Sequence, residues 1–205
     1  MNRRTLITAG LAALAASPAW AQIEALPYDQ RKLVEQAAAY LQGLKTAKGR
    51  FTQTNSRGAS SSGTIYLNRP GKARFEYDPQ YQMLVVADGK TVAIYDRRLK
   101  TFDRYPLGAT PLGIFLARRI DLSQDVRVTG ISKSATGFGV TLVDPHGNSD
   151  GKLVLEFTNQ PVGLFGWTVV DQQGVETKVR MVDLTPTDNL DPALFVLADP
   201  RKAGG

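Results

Sequence analysis

Period-two alternation, broken at short intervals by turn dipeptides, dominates this chain and restricts it to antiparallel β architecture. Residues 72–78 alternate most cleanly, with Ala73, Phe75 and Tyr77 on one face and Lys72, Arg74, Glu76 and Asp78 on the other. That pattern predicts a strand with one buried and one solvated side. Residues 64–69 place Ile65, Leu67 and Arg69 on one face, and Pro70-Gly71 marks the turn that follows. Residues 83–87 and 91–96 flank Asp88-Gly89, a tight hairpin signal. Further strands are expected at 48–54, 101–105, 126–131, 138–143, 152–158, 165–171 and 175–184, with the Ser-rich stretch 58–63 as a loose connection. A meander of about ten strands leaves exposed edges when flat, so a barrel or sandwich is expected.

Two segments change period. From Asp29 to Leu44, apolar Leu33, Ala37, Tyr40, Leu41 and Leu44 recur at helical spacing, with Asp29 as the N-cap. Pro111 to Ile120 predicts a short helix that is apolar most of the way round, and Pro111 suits its first turn. The class is therefore α+β, mainly β.

The first 21 residues read as an export signal, with Arg3-Arg4, an apolar run from Leu6 to Ala16 and a small-x-small site at Ala19-Trp20-Ala21. The run is too short to span a membrane. Arg3-Arg4 followed by Thr5-Leu6-Ile7 partly resembles a twin-arginine signal, so the export route stays open. Cleavage leaves residues 22–205 as one domain, and removal of two arginines lowers the formal charge from +6 to +4. Basic residues are scattered among acids, which gives no support to nucleic-acid binding. The chain has no cysteine, hence no disulfide, thiolate nucleophile or Cys-based metal site.

Enzyme chemistry finds little to work with, and neither a cofactor nor a metal is expected. The single histidine, His146, lies in turn-like DPHGNSD, and no G-x-S-x-G elbow, P-loop or G-x-G-x-x-G appears. Asp183, Asp188 and Asp191 lack EF-hand spacing and read as loop.

Arg69 stands out because strand parity puts a charge on the face that should be buried. It either emerges beside Pro70 and snorkels into solvent, or its five donors reach backbone carbonyls of a capping element. Phe75, Tyr77, Met83, Val85, Ile94, Phe157, Phe165, Trp167 and Met181 are candidates for an interior that is either an ordinary filled core or a hollow covered by the two helices.

These residues carry a family resemblance. From about Leu33 to Ala198 the chain resembles the periplasmic lipoprotein carrier of the Lol pathway (LolA-like). The markers are Gly49-x-Phe51-x-Gln53, the G-x-[IL]-x-[LV]-x-RP motif ending at Arg69-Pro70, RFEYD at 74–78, Val85 to Gly89 with Lys90, Tyr95-Asp96, TPL at 110–112, and Asp191 with Phe195. The resemblance implies an incomplete, strongly curved antiparallel β-barrel with helices forming a lid over an apolar cavity. It implies that Arg69 latches the lid and that Phe75 lines the cavity, with Tyr77, Val85, Ile94, Leu112, Phe115, Leu116 and Trp167 as further wall residues. The implied cargo is the acylated N-terminus of lipoproteins, received from an inner-membrane ATP-driven exporter and passed to an outer-membrane acceptor lipoprotein. A monomer is expected. Alternatives are a lipid- or lipoprotein-sensing regulator of the same fold, an exported enzyme, and a β-sandwich without a cavity. The chain stops soon after Phe195, which leaves open what a longer C-terminal extension would do.

Overall fold

Among the described residues alternation becomes eleven strands: β1 (Thr46–Thr54), β2 (Ser60–Asn68), β3 (Lys72–Tyr77), β4 (Met83–Asp88), β5 (Thr91–Asp96), β6 (Thr101–Pro106), β7 (Arg127–Lys133), β8 (Gly137–Val143), β9 (Lys152–Asn159), β10 (Val162–Val170) and β11 (Glu176–Pro186). The computed structural model describes residues 26–118, 126–144, 146–147 and 151–199; the export signal lies outside them. All eleven strands form one antiparallel sheet in the order β6-β5-β4-β3-β2-β1-β11-β10-β9-β8-β7. Two meanders are thus welded through their innermost strands, β1 and β11, which pair from Ala47↔Pro186 to Thr54↔Lys178. Strands β6 and β7 are the two ends, so the sheet does not close on itself.

Side-chain contacts reveal the curvature. Strands β3 and β10 are four places apart, which in a flat sheet is about 19 Å. Yet the rings of Phe75 on β3 and Trp167 on β10 meet edge to face at 6.0 Å. The sheet curls around an apolar concave face. The incomplete barrel expected from the resemblance is the architecture observed.

Helix α1 (Tyr28–Gly43) packs on the concave side against β8 and β10, burying Val34, Ala37 and Leu41. Its N-cap is Pro27, two residues earlier than expected; Asp29 lies inside the first turn and pairs with Lys133 of β7. An acid there also suits the positive end of the helix dipole. Helix α2 (Pro111–Leu116) is shorter than the expected 111–120, because Ala117 is extended at φ −53°, ψ 147°. Position 120 lies outside the described residues.

Three further expectations need correction. The Ser-rich segment is not a loop, because Ser60 to Gly63 extends β2 and pairs with β1. Asp183 lies within β11, not in a loop, and accepts a 2.5 Å hydrogen bond from the backbone N–H of Arg50. Phe165 points outward and is 46% exposed beneath the Arg180 guanidinium, because a bulge between Leu164 and Gly166 reverses the parity that Trp167 would dictate. His146 is exposed, as a turn residue should be, and its N–H bonds Asp144 Oδ1 at 2.8 Å.

The C-terminal segment covers the opposite, convex face. Pro192–Phe195 form a 3-10 turn against β3 and β4, capped by Asp191, whose side chain accepts from the Ala193 N–H. Phe195 is 1% exposed. Arg74 donates to Leu194 O at 3.2 Å and Arg104 to Leu197 O at 2.9 Å, holding the segment down.

Gly63 sits where Phe51 and Tyr77, on the strands flanking β2, bring their rings within 5.1 Å across it. A Cβ at position 63 would lie 2.3 Å from Glu76 O and 2.8 Å from Tyr77 Cα. Gly63→Ala is expected to destabilise by about 1–3 kcal/mol, read as a lower urea midpoint with unchanged slope. An unaltered midpoint would show that the strands part easily there.

Candidate functional site

Strand register arranges the concave face of the first meander in rows. Nearest the end of β2 runs Ala47–Leu67–Ala73–Ala87–Val92, all buried. Next runs Gly49–Ile65–Phe75–Val85–Ile94, and beyond it Phe51–Gly63–Tyr77. From the second meander Trp167 reaches across, and from above α2 lowers Phe115, whose ring stacks on Trp167 at 5.0 Å and 29°. Phe51 meets Phe75 edge to face at 5.6 Å. The expected wall residues are therefore one contiguous set. Phe75, Tyr77, Phe115, Leu116 and Trp167 are buried, whereas Val85, Ile94 and Leu112 are half-buried around them. These rings pack against one another between the sheet and α2.

Arg69 lies on the same face just beyond the first row, two residues past Leu67 and one past β2, with its backbone N–H bonded to Lys45 O at 2.8 Å. Its side chain turns inward rather than to solvent. Nη1 donates to Leu41 O and, at 3.4 Å, to Leu44 O; Nη2 donates to Ala117 O at 3.0 Å. The guanidinium lies 5.8 Å from the centre of the Phe115 ring. Helix C-termini carry unpaired carbonyls and partial negative charge, and neither α1 nor α2 has a basic residue in its own last turn. One cation borrowed from the sheet serves both. Burial pushes its pKa down to about 10, which still leaves it charged at physiological pH. Among the described residues its buried Nε has no hydrogen-bond partner, a penalty of about 1–3 kcal/mol that weakens the closed arrangement.

A family model described as outer membrane lipoprotein carrier protein LolA matches residues 42–198. The chain belongs to the LolA family. An outer-membrane lipoprotein carrier protein from Chromobacterium violaceum is 28% identical over 204 residues, covering 96% of this chain and 93% of that protein. Another, from Cupriavidus pinatubonensis, is 32% identical over 140 residues, covering 62% of this chain and 63% of that protein. Among solved structures, a DUF1329 family protein from Desulfovibrio piger aligns with 82% of this chain and 97% of its own, with a TM-score of 0.52 at 8% identity, a likeness of fold alone.

Two parts of this LolA-family site escaped sequence reasoning. Gly71 donates its N–H to Leu116 O at 2.8 Å, so the Arg69-Pro70-Gly71 turn caps α2 twice. It takes φ +82°, and a Cβ there would lie 2.8 Å from Gly89 Cα. Gln53 accepts from the buried Tyr77 hydroxyl at 2.7 Å. Its inward parity beside Phe51 was the available signal, the same one that exposed Arg69.

Charge-assisted hydrogen bonds contribute about 1.5–3 kcal/mol each, partly offset here by desolvation. In Arg69→Leu the Gly71 amide, which reports on the Leu116 carbonyl, is expected to exchange with solvent about tenfold faster. Equal exchange in the two proteins would mean that Arg69 does not hold α2.

Proposed function

We propose that this chain is a periplasmic carrier that holds the acyl chains of lipoproteins on its concave face and shuttles them from an inner-membrane ATP-driven exporter to an outer-membrane acceptor lipoprotein. The observation that carries the proposal is the latch: a large apolar set covered by a six-residue helix that Arg69 fastens through backbone carbonyls. The N-terminal export pattern and the names of the relatives support the same reading.

Acyl chains in water cost about 0.8 kcal/mol per CH₂, so three long chains amount to tens of kcal/mol and cannot cross an aqueous space unshielded. A carrier must offset most of that and still release. In the closed form the rings of Phe75, Phe115 and Trp167 satisfy one another. Cargo must break those contacts and the Arg69 bonds, and the free energy of reclosure is returned when cargo leaves. Every 1.4 kcal/mol of closing energy weakens net affinity about tenfold. Hand-off to a tighter-binding acceptor is then downhill without nucleotide at the carrier.

Extraction of protein purified from the periplasm, followed by mass spectrometry, should find lipoprotein or acyl species bound. Arg69→Leu should still load cargo but transfer it to an acceptor at least about tenfold more slowly, since reclosure has lost its hydrogen bonds. Wild-type transfer by that variant would refute the latch. Phe75→Glu should weaken uptake of an apolar fluorophore by placing a carboxylate between Phe51 and Trp167; unchanged uptake would show that the occupant lies elsewhere. On depletion of the protein, outer-membrane lipoproteins should accumulate at the inner membrane. Normal localisation would instead favour a sensing role.

A further inference from the structure

The Tyr77–Gln53 pair is a polar feature on an otherwise apolar wall, and its position along the sheet is informative. By register, the rows run from Arg69 through Ala47–Leu67–Ala73–Ala87 and Ile65–Phe75–Val85 to Phe51–Gly63–Tyr77, ending at Gln53↔Ser61. The concave face of the first meander is therefore graded. At the Arg69 end it is a floor of small, fully buried aliphatic residues, and at the far end it finishes in a phenol, a carboxamide and a hydroxyl. Tyr77 is buried, while Gln53 and Ser61 are half-buried, so the polar groups stand where the interior gives way to water.

We propose that Tyr77 and Gln53 form the subsite for the ester or amide carbonyl at which a bound acyl chain ends, so that cargo lies with its hydrocarbon toward Arg69 and its polar head at the Tyr77 end. This rests on the carrier reading above and adds a direction to it. The Tyr77 hydroxyl donates to Gln53 Oε1 at 2.7 Å, which orients the carboxamide and leaves its NH₂ as the donor for a carbonyl oxygen. Both groups are neutral. Burial pushes the Tyr77 hydroxyl up to about 12, so it remains a donor at physiological pH. The neighbours on this face are Phe51, Ser61, Gly63, Val179 and Met181, none of them cationic. A site of uncharged donors suits the carbonyl of an ester or amide, whereas a free fatty-acid carboxylate or a phosphate would call for Arg or Lys.

The test uses the full mature chain and two probes: a synthetic triacylated lipopeptide, and a long-chain alkyl fluorophore with no carbonyl group. Tyr77→Phe and Gln53→Leu should each lower the ratio of lipopeptide affinity to alkyl-fluorophore affinity about three- to tenfold, the loss of one net hydrogen bond. Retained binding of the alkyl probe certifies that each variant is folded. A second measurement leaves the pair intact: a photo-crosslinking residue at Ser61 should capture the peptide portion of the lipopeptide, and one at Lys45, beside Arg69, should not. An unchanged lipopeptide-to-fluorophore ratio, or capture of the peptide at Lys45, overturns the subsite and its direction while the carrier reading survives. Wild-type protein that binds neither probe overturns the carrier reading itself.

Discussion

Helix ends cannot be buried with their carbonyls unpaired, and here two helices meet that demand through one guanidinium. A six-residue helix such as α2 has no stability of its own, since nucleation is unfavourable and few intrahelical bonds repay it. It persists because Phe115 stacks on Trp167, Gly71 binds Leu116 O, and Arg69 binds Ala117 O. The same side chain reaches Leu41 O and Leu44 O, tying the end of α1 to the end of α2 and both to the rim of the sheet. At its other end α1 is held by its buried face, including Val34, while the exposed Asp29–Lys133 pair adds little once solvent screens it. Among the described residues Arg69 is thus the one side chain that bonds the C-terminal ends of both helices.

The strands were largely legible because one wetted and one buried face impose alternation, and Asp88-Gly89 and Pro70-Gly71 punctuate it. Arg69 was legible as an anomaly on the buried side, though parity alone could not say whether it snorkelled or bonded. Three things were not legible. The weld between β1 and β11 joins segments more than a hundred residues apart, and nothing local encodes that pairing. The β2 segment Ser60–Gly63 lacks the branched and aromatic residues that mark strands, because Gly63 must stay bare for Phe51 and Tyr77 to meet. The bulge at Leu164–Gly166 inverted Phe165, since one inserted residue flips every side chain before it.

The convex face adds a lesson about composition. On β4 the outward parity belongs to Leu84 and Val86, which look misplaced on a solvated side until the C-terminal segment is laid over them. Phe195 supplies the apolar lid on that side, and Arg74 and Arg104 hold it by donating to backbone carbonyls at Leu194 and Leu197. The chain thus uses one device on both faces of the sheet: an arginine rooted in or beside a strand grips the main chain of a short covering element.

Strands β6 and β7 never meet, and this gives the fold a freedom that a closed barrel lacks. A closed barrel has its radius set by strand number and stagger, and widening it means breaking a whole ladder of backbone hydrogen bonds. An unclosed sheet has no set circumference. Its two wings can spread by small changes of twist at each ladder while every pairing survives, so its bore is adjustable by degrees rather than fixed in advance.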